Sequence, residues 1–278
     1  MKIRRKQFGL SLTEILTSLV IIVLLGAMSM PAINAFLNSM GSTGSCESMI
    51  NASLASARAI AMREQRYAGV RFQKVFIPGN GTVLKAPQFM IFIIQDTQST
   101  GLKWGFRAMQ DIKPIELPEN IGVMDMILVT GHKPKEDPLE STQESITLDG
   151  QIDSDIELTD TTTFSIIFSP QGNLVVHGVW VRNGDGKTVG YTPPSADKVF
   201  NTLGTAMFCQ DDYFEGQPYD NLGLGPEPSR RQFIIYEQDK FKQARENGTP
   251  YSGYLLSLAT KPVYLNSYSG QIISTGTK

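Results

Sequence analysis

A long run without charge near the start of the chain most constrains its fold. After Glu14 the next charged residue is Glu47. The apolar part of this run, residues 15–37, spans about 34 Å as a helix that rises 1.5 Å per residue. A bilayer core is about 30 Å thick, so the sequence predicts a single membrane-spanning helix here.

Basic residues precede this run, and no acid balances them before Glu14. They are Lys2, Arg4, Arg5 and Lys6. Because flanking cations stay on the cytoplasmic side of a membrane, the remainder of the chain is expected on the other side. The predicted topology is a single-pass protein of the cytoplasmic (inner) membrane, with its C-terminal domain in the periplasm or envelope.

Three interpretations compete for this segment. A secretory signal peptide would be cleaved near a small-residue site, for which Ala27 to Ser29 is a loose candidate. A plain membrane anchor explains the length of the span. Neither accounts for Glu14, because an ionisable group at the edge of an apolar segment is costly and suggests a function.

The third interpretation rests on the order Lys6-Gln-Phe-Gly9 followed by Leu10-Ser-Leu-Thr-Glu14, which resembles the prepilin signal of type IV pilins and type II secretion pseudopilins. The resemblance implies that prepilin peptidase cleaves between Gly9 and Leu10 and that the new N-terminus on Leu10 is methylated. Glu14 would then neutralise the amine of a neighbouring subunit during assembly. Pro31 would sit where many pilins kink this helix. Leu10 is a departure, since Phe or Met is more usual there.

The sequence predicts three parts: a leader (1–9), an assembly and transmembrane helix (10–66) and a β domain (67–278). Within 38–66, apolar or small residues recur in steps of three and four, which predicts one buried helical stripe against a sheet. The stripe comprises Cys46, Met49, Ile50, Leu54, Ala57, Ile60 and Ala61.

From residue 67 onward the pattern changes to short runs rich in β-branched and aromatic residues, bounded by turn residues. Long polar connectors are expected at 131–144 and 182–230, the second as an extended surface insertion, and a brief helix at 238–246. The predicted class is α+β, with a long N-terminal helix packed on an antiparallel sheet or sandwich. The predicted strands are 67–76, 88–95, 103–108, 121–129, 145–148, 163–168, 174–181, 232–237, 254–258 and 270–274.

Three short segments also resemble the GspH/FimT family of minor pseudopilins. They are the helix end Ser53-Leu-Ala-Ser-Ala-Arg58-Ala-Ile-Ala-Met-Arg63-Glu-Gln, the strand and turn Phe164-Ser-Ile-Ile-Phe168-Ser-Pro-Gln-Gly172-Asn, and the closing Val263-Tyr-Leu-Asn-Ser-Tyr-Ser-Gly270-Gln-Ile. The resemblance implies a pilin-like fold. Its implied partners are other pilin subunits, prepilin peptidase, the cytoplasmic membrane and a secretion or pilus assembly platform.

Metal and catalytic chemistry have little support in the sequence. Asp149, Asp153, Asp155 and Glu157 form an acidic cluster that would offer oxygen ligands to calcium, which related major pseudopilins bind. A solvated acidic loop is the favoured interpretation, and no cofactor is expected. The motifs G-x-S-x-G, H-E-x-x-H and C-x-x-C do not occur in the chain, so enzyme activity is disfavoured.

The two cysteines leave two alternatives open. Cys46 and Cys209 would form a disulfide in an oxidising envelope. Cys46 also lies on the apolar stripe, which favours a buried free thiol equally well.

These observations predict a non-enzymatic minor subunit of a type II secretion pseudopilus or a type IV pilus. The alternatives are a DNA-binding competence-type pilin and a membrane-anchored binding module or enzyme. Loss of the four cations in residues 1–9 shifts the formal net charge from −2 to −6. That charge opposes phosphate contact, and Ser269-Gly270-Gln271 at the closing turn supplies no arginine, so nucleic acid is disfavoured as a partner.

Overall fold

Chain contacts divide the protein into two units, residues 1–42 and 43–278, and the computed structural model describes residues of the second. Within the described ranges no helix is both long enough and apolar enough to cross a membrane. The predicted span at 15–37 lies outside them. The described ranges are 43–75, 83–130, 137–187, 193, 200, 225–248, 251–259, 263–268 and 272–273.

Helices occupy the start, the middle and the end of the described chain. The α-helices are α1 (Thr43–Glu64), α2 (Thr97–Thr100), α3 (Asp155–Thr162), α4 (Gln238–Glu246) and α5 (Tyr251–Ala259). Short 3-10 turns lie at Val83–Lys85, Pro138–Glu140 and Asp149–Gln151.

Short strands make up most of the regular structure between the helices. They are β1 (Ala68–Lys74), β2 (Gln88–Gln95), β3 (Gly105–Ala108), β4 (Ile115–Glu116), β5 (Ile121–Met124), β6 (Ile127–Thr130), β7 (Thr142–Ser145), β8 (Phe164–Phe168), β9 (Leu174–Val175), β10 (Gly178–Arg182), β11 (Glu227–Pro228), β12 (Gln232–Glu237), β13 (Val263–Leu265) and β14 (Ile272–Ile273).

These strands form three sheets, and the fold is mixed α and β. The largest sheet has eight strands in the order β11-β10-β3-β2-β1-β8-β9, with β4 paired to β2. A second sheet has the order β14-β13-β12-β5, and β6 pairs with β7. Among the described strands, all pairs are antiparallel except β3 with β10, which run parallel. The prediction of an antiparallel sheet is therefore wrong at this one pair.

The centre of the large sheet is buried on both faces. Val70, Phe72 and Phe164 point to one face and share a core with α1. Ile91 and Ile167 point to the other face and pack in a second cluster. Because side chains alternate along a strand, two covered faces require nearly continuous apolar runs, and β2 accordingly reads Gln-Phe-Met-Ile-Phe-Ile-Ile-Gln.

The stripe predicted for α1 is buried on the first of these faces. Its fully buried members recur every three or four residues, as one face of a helix requires. Burial of one leucine side chain such as Leu54 contributes about 1.5–3 kcal/mol. The fully buried residues of the stripe are Cys46, Ile50, Leu54, Ala57 and Ala61.

Several predicted elements are confirmed, and others are wrong in detail. The predicted bounds of 88–95, 232–237 and 238–246 agree with β2, β12 and α4. The predicted strand at 254–258 is helix α5, whose Leu255 packs beneath β12. Short apolar runs fit both structures, so periodicity cannot separate them. The strand expected at 145–148 lies earlier, at β7, which falls mostly inside the connector expected at 131–144. The single strands expected at 121–129 and 174–181 are each two strands, β5 with β6 and β9 with β10. Helix α3 is an element that the sequence pattern did not predict.

The 182–230 connector differs from the expected surface excursion at most of its described residues, although Pro193 is exposed. Phe200 is fully buried in the core on the second face of the large sheet. At the far end of the connector, Glu227, Ser229 and Arg230 are also buried. The described end of this connector is thus part of the domain's interior, and residues 188–192, 194–199 and 201–224 lie outside the description.

Candidate functional site

The outward face of α1 is the surface that bears on the predicted assembly role. Its exposed residues over the first four turns are small, and their serine hydroxyls bond within the helix: Ser48 Oγ donates to Gly44 O and Ser56 Oγ to Ala52 O. Small side chains let neighbouring helices approach closely. The exposed positions are Gly44, Ser48, Ala52, Ala55, Ser56 and Ala59.

The N-terminal residues predicted to carry processing and assembly lie outside the described residues. This applies to the cleavage pair Gly9 and Leu10, to Glu14 and to Pro31. The residues 269–271 of the closing turn lie outside it as well. The predictions for these residues therefore rest on the sequence alone and stay predictions.

Cys46 is a free thiol, fully buried in the core between α1 and the sheet. Burial, reinforced by the neighbouring Glu47, raises its pKa to about 12. Since the thiolate is the reactive form, this cysteine is inert in the folded domain. Cys209 lies outside the described residues. The hypothesis of a disulfide between Cys46 and Cys209 therefore stays a prediction that experiment must test.

The acidic cluster forms helix caps. Glu157 accepts hydrogen bonds from the amides of Asp153 and Ser154, while Ser154 Oγ accepts one from the Glu157 amide at 3.3 Å. This reciprocal capping box starts α3, and Asp155 follows in its first turn. Asp149 Oδ1 accepts a hydrogen bond from the Ser252 amide at the start of α5.

No group of three or more His, Cys, Asp or Glu in the described part of the chain is arranged to hold a metal ion. The calcium hypothesis for Asp149, Asp153, Asp155 and Glu157 is thus unsupported by their geometry. The motif Ser154-x-x-Glu157 before an apolar residue is the sequence signal that predicts this helix start. It accounts for the cluster without a ligand.

A cleft of about 360 Å³ opens beside the start of α4. Its wall residues Lys85 and Asp239 approach each other, with 3.8 Å between Nζ and Oδ1. Asn120 Oδ1 accepts a hydrogen bond from the Asp239 amide at 2.8 Å. Its described lining is a mixture of charged, amide and apolar side chains.

Lys74 shows how the fold satisfies a buried amine with hydrogen bonds. Its side chain is fully buried, and Nζ donates to the carbonyl oxygens of Val83, Leu84 and Ala86 at 3.1, 2.7 and 3.1 Å. Burial lowers the pKa of this amine to about 7. An amine with such a pKa is a potential nucleophile. Its three hydrogen bonds to carbonyl oxygens and its complete burial, however, keep it out of reach of any substrate. Lys74 therefore fastens the turn at 83–86 to β1.

The largest departure from the sequence analysis is a buried charge cluster that sequence reasoning missed. It gathers two guanidinium groups and three carboxyl groups from four separate stretches of chain. Every member has at most 5% of its surface exposed. The members are Arg71 on β1, Asp125 between β5 and β6, Asp160 on α3, Glu227 on β11 and Arg230 just before β12.

Arg230 is the hub of this charge cluster. Its Nε donates to Asp125 Oδ2 at 2.6 Å, and its Nη2 lies 3.4 Å from Glu227 Oε2. Nη1 donates to Gln143 Oε1 at 3.1 Å and to Pro228 O at 2.7 Å. One guanidinium group thus links residues of, or adjoining, all three sheets. The one sequence signal for a buried charge is the position of Arg71 inside the otherwise apolar strand sequence Ala-Gly-Val-Arg71-Phe.

Comparisons with family models, curated proteins and solved structures find no match to this chain.

Proposed function

We propose that this protein is a non-enzymatic minor pilin-like subunit, a pseudopilin of a type II secretion pseudopilus or a subunit of a type IV pilus. The observation that carries the proposal is the N-terminal order of a basic leader, Gly9, Leu10 and then a lone Glu14 within an uncharged apolar run. Prepilin peptidase would cleave after Gly9 and methylate the amine of Leu10. The run would then serve first as membrane anchor and later as filament core.

Electrostatics gives Glu14 its role in this proposal. Cleavage creates a cationic amine on Leu10, and an unpaired charge in an apolar filament core would be costly. The carboxylate of Glu14 on a neighbouring subunit compensates that charge and sets the axial register. Pro31 lacks a backbone donor and weakens the helix near its middle, which helps the segment to adapt from membrane to filament.

Support from the described residues comes from the two faces of α1. One face, including Ile50 and Leu54, forms the core of the globular domain. The opposite face carries small residues such as Ala52 and Ala55. A helix that holds its own domain on one side and permits close helix contact on the other suits a filament subunit, and a pilin-like fold is part of the same proposal.

N-terminal sequencing of the full chain, expressed together with a prepilin peptidase, tests the processing step. We expect the mature protein to begin at Leu10 with a methylated amine. A Gly9→Val variant should remain full length, because a branched side chain would block the cleavage position. A mature start beyond Ala27 would favour a secretory signal peptide and contradict the proposal.

Filament incorporation tests the assembly step. Glu14→Ala should be processed and inserted in the membrane but lost from sheared filaments of the host machine. Glu47→Ala is the matched control, since Glu47 is the next acid of the chain and lies partly exposed on α1. Normal incorporation of the Glu14→Ala variant would refute the role given to this carboxylate.

A further inference from the structure

The strand β7 forms the outer edge of the sheet that it shares with β6, and all four of its side chains are exposed. Just after β7, Ile146 N donates to Met126 O at 3.0 Å, which marks a hydrogen-bonded pair. Hydrogen-bonded and non-hydrogen-bonded pairs alternate along an antiparallel ladder. Counting back from Ile146, the residues Ser145 and Gln143 therefore direct their N–H and C=O groups away from β6.

The residues of β6 opposite these two support the same geometry. Ile127 lies opposite Ser145, and its amide donates to a side-chain oxygen of the β5–β6 link at 3.0 Å. Val129 lies opposite Gln143, and its amide donates to an aspartate of α3 at 2.8 Å. Both amides thus point away from β7. In the described part of the chain, no hydrogen bond beyond the strand pair uses the outward backbone groups of Gln143 and Ser145.

Other strand edges among the described residues are closed or interrupted. Along β9, Leu174 N donates to Ser267 O at 2.8 Å. Along β5, Val123 N donates to Gln88 Oε1 at 2.7 Å. Pro118, which has no N–H, follows two residues after β4. A strand edge with free backbone groups is a template for another strand, and proteins usually block it with prolines or a covering segment. The edge of β7 has neither within its four residues.

Contacts with the interior hold this edge in its extended form. Gln143 Oε1 accepts a hydrogen bond from Arg230 Nη1 at 3.1 Å. Ser141, just before β7, donates its amide hydrogen to Pro138 O at 3.3 Å, and Ile146, just after it, is buried in the core beneath. A strand that is already ordered loses little conformational entropy when it binds a partner. The edge is thus preorganised for pairing.

Charge selects the kind of strand that fits this edge. The sequence from 136 to 181 contains no Lys or Arg, and Glu140 and Glu144 are exposed there. If a second copy paired antiparallel so that the outward groups of both copies all bonded, Glu144 would lie opposite Glu144 of the other copy. Like charges directly opposite each other destabilise a strand pair, whereas opposite charges stabilise it. The edge therefore favours a strand of another protein with a basic residue at that position.

We propose that β7 binds an extended segment of a partner protein as an added antiparallel strand, with a lysine or arginine of that segment opposite Glu144. The two partner residues beside this cation exchange four backbone hydrogen bonds with Gln143 and Ser145. The backbone bonds give affinity, as in other cases of strand addition, and the charge pair selects the segment. This interaction goes beyond the filament role and does not depend on it.

The test titrates the full chain in detergent into a fluorescently labelled peptide, Thr-Val-Lys-Val-Thr with blocked ends, and follows fluorescence anisotropy. A second peptide has glutamate in place of the lysine. We expect the lysine peptide to bind about 2–30-fold more tightly than the glutamate peptide, because the charge pair changes from attractive to repulsive. Hydrogen exchange of the β7 amides, read by mass spectrometry, should slow when the lysine peptide is bound.

A charge reversal locates the binding on β7. Glu144→Lys should reverse the preference, so that the glutamate peptide binds more tightly than the lysine peptide. Glu116→Lys is the matched control, because Glu116 is an exposed glutamate on β4, and this variant should keep the preference of the wild type. An unchanged preference in Glu144→Lys would overturn the proposal.

Methylated peptides test the backbone bonds on the unaltered protein, so they decide even if a variant does not fold. With the lysine opposite Glu144, both valines of the peptide direct their N–H groups toward β7 and the lysine directs its own away. N-methylation of the two valines should abolish binding, whereas N-methylation of the lysine should preserve it. No binding of the lysine peptide, or equal effects of the two methylations, would overturn the proposal. Tighter binding of a peptide with the sequence of β7 itself would assign the edge to a second copy and overturn the choice of partner.

Discussion

Replacement of Arg230 by methionine removes the hub of the buried charge cluster while keeping a side chain of similar length. Four acceptors lose their donor: Asp125 Oδ2, Glu227 Oε2, Gln143 Oε1 and Pro228 O. Asp125 also loses the cation that compensates its charge in the interior, and Glu227 loses one of two, since Arg71 remains 3.5 Å away. We expect Arg230→Met to be among the more destabilising single substitutions in the domain.

The magnitude follows from these contacts. Two hydrogen bonds with charged acceptors contribute about 1.5–3 kcal/mol each and two with neutral acceptors about 0.5–1.5 kcal/mol each. The gross loss is thus roughly 4–9 kcal/mol. Asp125, whose pKa is already raised to about 6 by burial, and Glu227 offset part of it by binding protons. We therefore expect a net loss of about 3–5 kcal/mol at pH 8 and a smaller loss at pH 5.

Denaturant unfolding of the full chain, followed by tryptophan fluorescence, measures this loss. Arg63→Met is the matched control, because the Arg63 side chain is 69% exposed, and its effect should stay within about 0.5 kcal/mol. Adding Asp125→Asn to Arg230→Met should recover about 0.5–3 kcal/mol, since the stranded charge is then removed. A loss below about 1 kcal/mol at pH 8, or the absence of recovery, would refute the assigned energetic role of the charge cluster.

Two further predictions concern the core on either side of β1. A Cβ added at Gly69 would lie 2.0 Å from Ile166 O of the neighbouring strand, so Gly69→Ala should cost about 1–3 kcal/mol in thermal unfolding. A Cβ added at Gly150 meets no atom within 4 Å, so Gly150→Ala should be nearly neutral. Equal losses of stability in the two variants would contradict the close packing of β1 against β8. The second prediction concerns the buried Cys46, which should resist alkylation in the native chain and react once denaturant is added, without reductant. Protection of Cys46 in denaturant until reduction would instead indicate its disulfide with Cys209.

Local pattern was enough to predict several elements of this fold. β2 and β12 are runs of Phe and Ile with few interruptions, and α4 has polar residues around the buried Phe241. Their bounds follow from side-chain type and the polar or turn residues beside them. The stripe on α1 is predictable for the same reason, because its period of three to four residues is visible without any tertiary contact.

Local pattern failed where long-range packing decides the structure. Residues 254–258 are apolar enough for a strand, but they form helix α5 with Leu255 against Tyr236 and Phe241. The parallel pairing of β3 with β10 joins residues 75 positions apart, such as Gly105 and Trp180, and nothing in either strand specifies its partner. Pairing direction is a property of the whole topology.

The candidate sites divide along the same line. The sequence by itself determined the feature that carries the proposed function, since the leader, Gly9 and Glu14 are recognised by their order and spacing. Only the tertiary structure decided that Asp149 caps helix α5 and that Glu227 meets Arg71 in the interior. Residue order is written in the chain, whereas burial of a charge depends on which distant segments cover it, and burial sets its pKa.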